Sequence, residues 1–339
     1  MFKEMYEDLR AIFAPPPRPN LMRESRQTTS ITLGILAVML IGSIVTSILA
    51  ALVNLFAPEL LQEGWFVLIV STFPMYIVGL PLALFLFAIG TKQAPEKKSI
   101  PFSSWLGILA ICFVLMLLGS YIGQFINIFI EMIIGVQQSN AVADMTQDVP
   151  MWANLLCVGI AAPIFEEIIY RKLVIDRLSR YGDRFAVLAS GLIFGLIHGN
   201  FSQFFYAAII GIVLGLVYVQ TGKLRYTIAL HMVLNIIGGV YTVEMSRFLE
   251  HLEVENPTNE AMMAGLPGII MLIGYYAFMF ACLVGAPIAI IKLRNKIKLR
   301  KPDVKLSASQ MTRIWTLNPA VWILFLMTLW LFITSAMPV

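Results

Sequence analysis

The sequence predicts an all-α, polytopic membrane protein of about eight to nine transmembrane helices. Three observations predict it. Hydrophobic residues fill 59% of the 339 positions and charged residues only 13%, where a soluble domain carries about a quarter charged. Mean hydropathy is +0.82. The apolar residues are gathered into runs long enough to cross about 30 Å of hydrocarbon, with the charges in short clusters between them. The net charge of +4 therefore carries topology information, and no nucleic acid is expected as a partner.

The elements follow in order. A charged N-terminal segment, 1–30, includes "APPPRPN" (14–20), which reads as stiff extended chain. Spans fall near 31–57, 65–90 and 102–135, within an N-terminal transmembrane region of 31–150. The fourth span, 151–178, opens a core of 151–245. Its fifth run, 185–199, is short and the sixth, 201–220, follows at once, so a hairpin turning back within the membrane stays open. The seventh, 226–243, closes the core. The remainder, 246–339, holds an acidic loop and spans near 267–291 and 319–337. The last is apolar all round and reads as a lipid-facing helix. Cys112, Cys157 and Cys282 all lie inside apolar runs, so buried thiols and no disulfide framework are expected.

Loop charge tests this order. Lysines and arginines crowd the N-terminal segment and the connections at 91–101, 171–184, 221–225 and 292–313. The alternate connections differ. Residues 58–64 and 136–150 hold no Lys or Arg, and 244–266 holds one Arg against five glutamates. The positive-inside rule then gives nine spans and a cytoplasmic N-terminus. No internal repeat is visible, which weighs against an inverted-repeat transporter.

Against this apolar background the ionisable groups inside spans are few: Glu166 and Glu167 in the fourth, His198 at the end of the fifth, and His231, with the amide Asn235, in the seventh. A carboxylate at mid-membrane costs about 2.5–3.5 kcal/mol on insertion scales, so such residues face a protein interior or a wet cavity. Glu167 and Arg171 stand at i and i+4, the spacing of a same-face ion pair. Glu166, about 100° around the helix, points elsewhere. Arg171 can hold Glu167 and leave Glu166 for other work. Glu166 and His198 each lie sixteen residues from Gly182, which levels them about 24 Å from that turn, and His231 lies about 13 Å beyond Gly222. His231 and Asn235, again i and i+4, share a face. Tyr170 and Phe194 read as packing residues, and His251 as a solvated loop residue.

Peptide hydrolysis needs an activated water, a proton carrier and oxyanion donors, and these residue types supply all three. There is no H-E-x-x-H zinc motif. Glu166, His198 and His231 could nonetheless form a three-ligand Zn²⁺ site, although a ligating Glu166 would leave no evident base.

"EEIIYR" (166–171), "FGLIH" (194–198) and "HMVLN" (231–235) match in order and spacing the E-E-x-x-x-R, F-x-x-x-H and H-x-x-x-N motifs. The chain thereby resembles the CPBP (CAAX-processing and bacteriocin-processing, or Abi) family of intramembrane proteases. The resemblance implies a helical fold enclosing an intramembrane polar cavity, in a cell membrane. It also implies an endopeptidase acting on membrane-associated peptides or proteins, prenylated CAAX-type or leader-type. By the same resemblance Glu166 would activate water with His198 as its partner, and Glu167 and Arg171 would be a structural pair. His231 and Asn235 would stabilise the oxyanion. Two other classes stand beside it: a non-catalytic immunity or scaffold membrane protein, and a proton-coupled transporter using the same carboxylate and imidazoles as a relay.

Overall fold

The computed structural model describes residues 19–135, 146–253 and 258–337. The expected extended segment at 14–20 lies almost wholly outside them. Among the described residues the chain is helical, with no strand. The helices are α1 (Leu21–Phe56), α2 (Gly64–Ala88), α3 (Phe102–Ile134), α4 (Met151–Tyr181), α5 (Asp183–Leu196), α6 (Phe201–Thr221), α7 (Leu224–Glu250), α8 (Asn259–Lys296), α9 (Ala308–Thr316) and α10 (Pro319–Ser335). This is a multi-pass membrane protein.

Among the described residues, seven helices are long and apolar enough to cross a membrane, and eight if α9 and α10, bent by 68°, count as one. That corrects the full count of nine. The expected fifth span is α5, only 14 residues long, or about 21 Å. It lies back along α6 as one arm of a hairpin. The contact is made by small residues on both helices: Gly191 on α5 faces Gly211 on α6, Gly195 faces Ala208, and Gly215 lies against Val187. A Cβ on Gly211 would stand 2.9 Å from the Gly191 Cα, so the backbones touch, as small-xxx-small pairs allow.

Helix α6 is the axis of the bundle. Over half of its apolar window, 56%, is buried, against 11% for α8. One buried cluster packs α1, α2, α4 and α5 against it through Ile35, Phe87, Val174, Leu178 and Tyr218. Another packs α3, α7 and α8 on its other side through Phe113, Leu214, Leu230 and Cys282.

The connections sort by charge. At one end Lys98 N–H donates to the Thr221 carbonyl at 2.8 Å, and Arg300 Nη2 pairs with the buried Asp183 at 2.9 Å. The N–H groups of Asp303 and Val304 both reach the Arg180 carbonyl there. At the other end Arg247 donates to the carbonyls of Thr146, Gln147 and Val149 and pairs with Glu244. The basic loops share one face, as the charge alternation requires.

Three boundaries differ from the sequence reading. Helix α1 starts at Leu21, so Glu24 is buried and bonds Tyr181 Oη at 2.6 Å and Arg180 Nη2 at 3.1 Å. Most of the expected acidic loop at 244–266 is helix, because α7 runs on to Glu250 and α8 starts at Asn259. And α10 is not simply lipid-facing. Asn318 caps it and donates to Thr29 on α1, Thr328 is buried, and Phe332 packs on Phe201 with ring centroids 4.8 Å apart.

Candidate active site

Four elements bring the polar residues together, and departures from regular α-helix place them. The backbone widens to π-turns at Met75–Gly79 in α2, at Leu155–Ala161 and Ile168–Ile175 in α4, and at Ile236–Tyr241 in α7. Such turns are rare and concentrate at functional sites. In α4 they bracket Pro163, Glu166 and Glu167. The Ala162 N–H donates to the Cys157 carbonyl, five residues back. The next bond in that pattern would run from residue 163 to the Val158 carbonyl, but Pro163 has no N–H. Asn235 of α7 fills the gap, donating from Nδ2 to that carbonyl at 3.0 Å.

The two glutamates divide sharply. Glu167 is fully buried and sits between two partners. Arg171 Nε lies 3.1 Å from its Oε2, close enough for ion pairing though not aligned as a hydrogen bond. His231 Nδ1 lies 3.1 Å from its Oε1. Arg171 is itself fully buried, with Nη1 on the Ser190 hydroxyl at 3.4 Å and its guanidinium 5.1 Å from the centroid of the Phe194 ring. A carboxylate only accepts, so a neutral His231 donates from Nδ1 and turns the lone pair of Nε2 away from Glu167. That nitrogen faces Glu166, 3.5 Å from Oε2. The Glu166 side chain keeps 15% of its surface accessible. The i, i+4 pair expected from the sequence is present, and it also holds a histidine.

His198 follows α5 on the turn into α6. Gly199 takes φ +66°, a left-handed conformation that suits glycine. Asn200 then caps α6, accepting from the Gln203 N–H at 2.9 Å and donating to the His198 carbonyl at 2.8 Å. His198 Nδ1 donates to the Phe194 carbonyl at 2.7 Å, which again leaves Nε2 as the free lone pair. Phe194 packs edge-on against both imidazoles, with centroid distances of 4.9 Å to His198 and 5.7 Å to His231.

Among the described residues no hydrogen bond or ion pair joins Glu166 to His198; the imidazole that meets Glu166 is His231. Nor do three His, Cys, Asp or Glu side chains gather closely enough there to hold a metal ion. The alternative zinc set of Glu166, His198 and His231 does not fit this donor arrangement. The sequence reading missed Tyr76 on α2. It is buried, stacks on Phe165 at 4.4 Å, and its hydroxyl interacts with the Glu166 carboxylate. The signal available was a tyrosine between Pro74 and Gly79 in an otherwise apolar helix.

Comparison with known proteins falls on this same segment. Residues 148–237 match the family described as "Type II CAAX prenyl endopeptidase Rce1-like". The core segment is thus similar to the family that its three motifs resemble. A relative from Bacillus subtilis, named "Putative membrane peptidase YdiL", is 27% identical over 131 residues. That alignment covers 38% of this chain and 52% of the relative, so the chain spans about half the length of the curated relative it matches. No solved structure matches the chain. The matched segment holds Glu166, Glu167, Arg171, His198, His231 and Asn235, with α1–α3 packed around it and α8–α10 beyond it.

Proposed function

We propose that the protein is an intramembrane endopeptidase that hydrolyses peptide bonds of membrane-associated substrates with a water activated by Glu166. The observation that carries this reading is the division between the adjacent glutamates. Glu167 is sealed and held by Arg171 and His231, while Glu166 stays accessible and faces His231 Nε2. A wholly structural role would account for the first and leave the second a half-satisfied acid among apolar helices.

In this reading Glu166 takes a proton from water, and the hydroxide attacks the scissile carbonyl carbon. Glu166 and His231 Nε2 share that proton, and it returns to the leaving amine. Glu167 fixes the orientation of His231 throughout, as a carboxylate orients the histidine of other hydrolytic sites. The second N–H of Asn235 receives the oxyanion, with His231 Nε2 beside it whenever the shared proton rests on that nitrogen and before it passes to the amine. His198, its Nε2 lone pair unspent, is a second proton acceptor. The described name of the matching family favours substrates ending in a prenylated CAAX-type segment; leader peptides are the other class. The basic loops and the N-terminus face the cytoplasm of a cell membrane.

The test is proteomics of membrane peptides in proteoliposomes or cells carrying the active protein or Glu166→Gln. Products that vanish with Glu166→Gln while the protein remains folded support the enzyme. Complementation of a cellular phenotype by Glu166→Gln would point to an immunity or scaffold protein, and pH-dependent uptake without cleavage to a transporter.

A further inference from the structure

At the basic end of the bundle, away from the polar site, a cleft of about 540 Å³ opens between the start of α5 and the segment leading to α9. Its lining has two parts. Phe185, Leu188, Leu299 and Pro302 make an apolar floor, and Arg184, Arg300 and Lys301 stand around it. Arg300 is spent on Asp183, to which it donates from Nε and Nη2 and from its backbone N–H. Among the described residues the side chains of Arg184 and Lys301 make no hydrogen bond or ion pair, and both are exposed. The cleft thus presents two uncompensated cations beside apolar carbon.

The apolar part continues along α5. Leu188 and Leu192, one helical turn apart on α5, are 45% and 48% exposed and extend the cleft's apolar floor along the outer face of that helix. A ligand that follows this path is cationic-site-bound at one end and hydrocarbon-bound along the rest. We propose that this cleft binds an anionic phospholipid, its headgroup phosphate on Arg184 and Lys301 and the start of an acyl chain along Leu188 and Leu192.

Charge complementarity and the break from basic rim to apolar groove commit the site to this occupant. A free phosphate would leave Phe185, Leu188 and Pro302 in water, and an acidic peptide has no use for the exposed leucine track. Basic residues beside a membrane surface attract anionic headgroups, and here the walls are shaped. The segment 299–304 is tied to α5 and to the end of α4 by Arg300–Asp183 and by the Asp303 and Val304 N–H groups on the Arg180 carbonyl.

The purified full chain in phosphatidylcholine nanodiscs is titrated with a spin-labelled phosphatidylglycerol, and lipid retained on the protein is counted by native mass spectrometry. Arg184→Gln with Lys301→Gln is expected to weaken retention roughly tenfold or more, two surface cations being lost. Leu188→Asp, a substitution at an exposed position that needs no repacking, is expected to weaken it as strongly. Lys296→Gln with Lys305→Gln removes the same charge elsewhere at this end and is expected to leave retention unchanged. An equal loss in that control would reduce the effect to diffuse charge and overturn the site. Full displacement by inorganic phosphate or by a soluble acidic peptide would overturn the lipid as occupant. Because none of these residues touches the polar cluster, failure here leaves the protease reading intact.

Discussion

Glu166 and His231 meet between α4 and α7, with Oε2 of the acid 3.5 Å from Nε2 of the ring, while the other ring nitrogen is held by Glu167. Two neighbouring carboxylates therefore grip opposite sides of one imidazole, and only Glu166 keeps accessible surface.

That asymmetry separates two substitutions of the same chemistry. Glu166→Gln is expected to reduce cleavage by about 10²–10⁴-fold, the usual share of a general base, with the thermal transition of the detergent-solubilised protein unchanged. Glu167→Gln is expected to lower that transition as well, because it strands the buried Arg171. Cleavage assays run beside thermal unfolding read both; equal thermal losses in the two variants would count against the division.

Arg171 should not tolerate lysine. Its guanidinium serves Glu167, Ser190 and the Phe194 face at once, a planar set that an ammonium does not reproduce. Arg171→Met leaves Glu167 uncompensated and is expected to cost about 3–5 kcal/mol. Adding Glu167→Gln should recover part of that loss, and the double-mutant cycle in denaturant measures the coupling.

Asn235 and Pro163 make a coupled pair. Asn235→Ala takes the donor from the Val158 carbonyl that Pro163 leaves unserved, at an expected cost of about 1–3 kcal/mol. Pro163→Ala restores an N–H to α4, so the same Asn235 substitution should cost much less in that background. Activity should stay low in the double variant if the second N–H of Asn235 serves the reaction. Recovery of both stability and rate would make Asn235 purely structural.

The turn that carries His198 depends on backbone contact between α5 and α6. A Cβ at Gly191 would stand 2.8 Å from the Ile212 backbone nitrogen and 2.5 Å from its Cγ1. Gly191→Val should push the hairpin apart and reduce cleavage at least as much as it lowers stability, although it touches no polar residue. Cysteine crosslinking across the hairpin, compared with the parent, would report the separation.

Much of this site was legible because charge is rare in an apolar chain. Glu166, Glu167, His198 and His231 stood out against it, and i, i+4 spacing gave the Glu167–Arg171 pair. Counting residues from Gly182 and Gly222 placed the groups at similar depths but could not say which imidazole meets Glu166, since that depends on how α4 and α7 rotate. The π-turns that set this rotation leave no periodic signature. Tyr76 was hidden because a tyrosine in a membrane helix reads as packing. Helix α10 misled for a related reason: a helix apolar on every side has no pattern to mark its buried face. Glu24 and Gln27, polar residues ahead of the first apolar run, read as lying outside the bundle, yet both are buried in α1.

Helix α10 joins two distant places on the molecule. Its root, at Asn318, is hydrogen-bonded to α1 at the basic end, just after the 68° elbow with α9. Its far end sets Leu331 against Gly199, where an added Cβ would come within 2.6 Å of the leucine Cβ. Seventeen helical residues make a rod of roughly 25 Å, so a tilt of about 5° at the elbow carries the tip by roughly 2 Å. A push at the amphipathic α9 would thus be felt, by leverage alone, at the glycine next to His198.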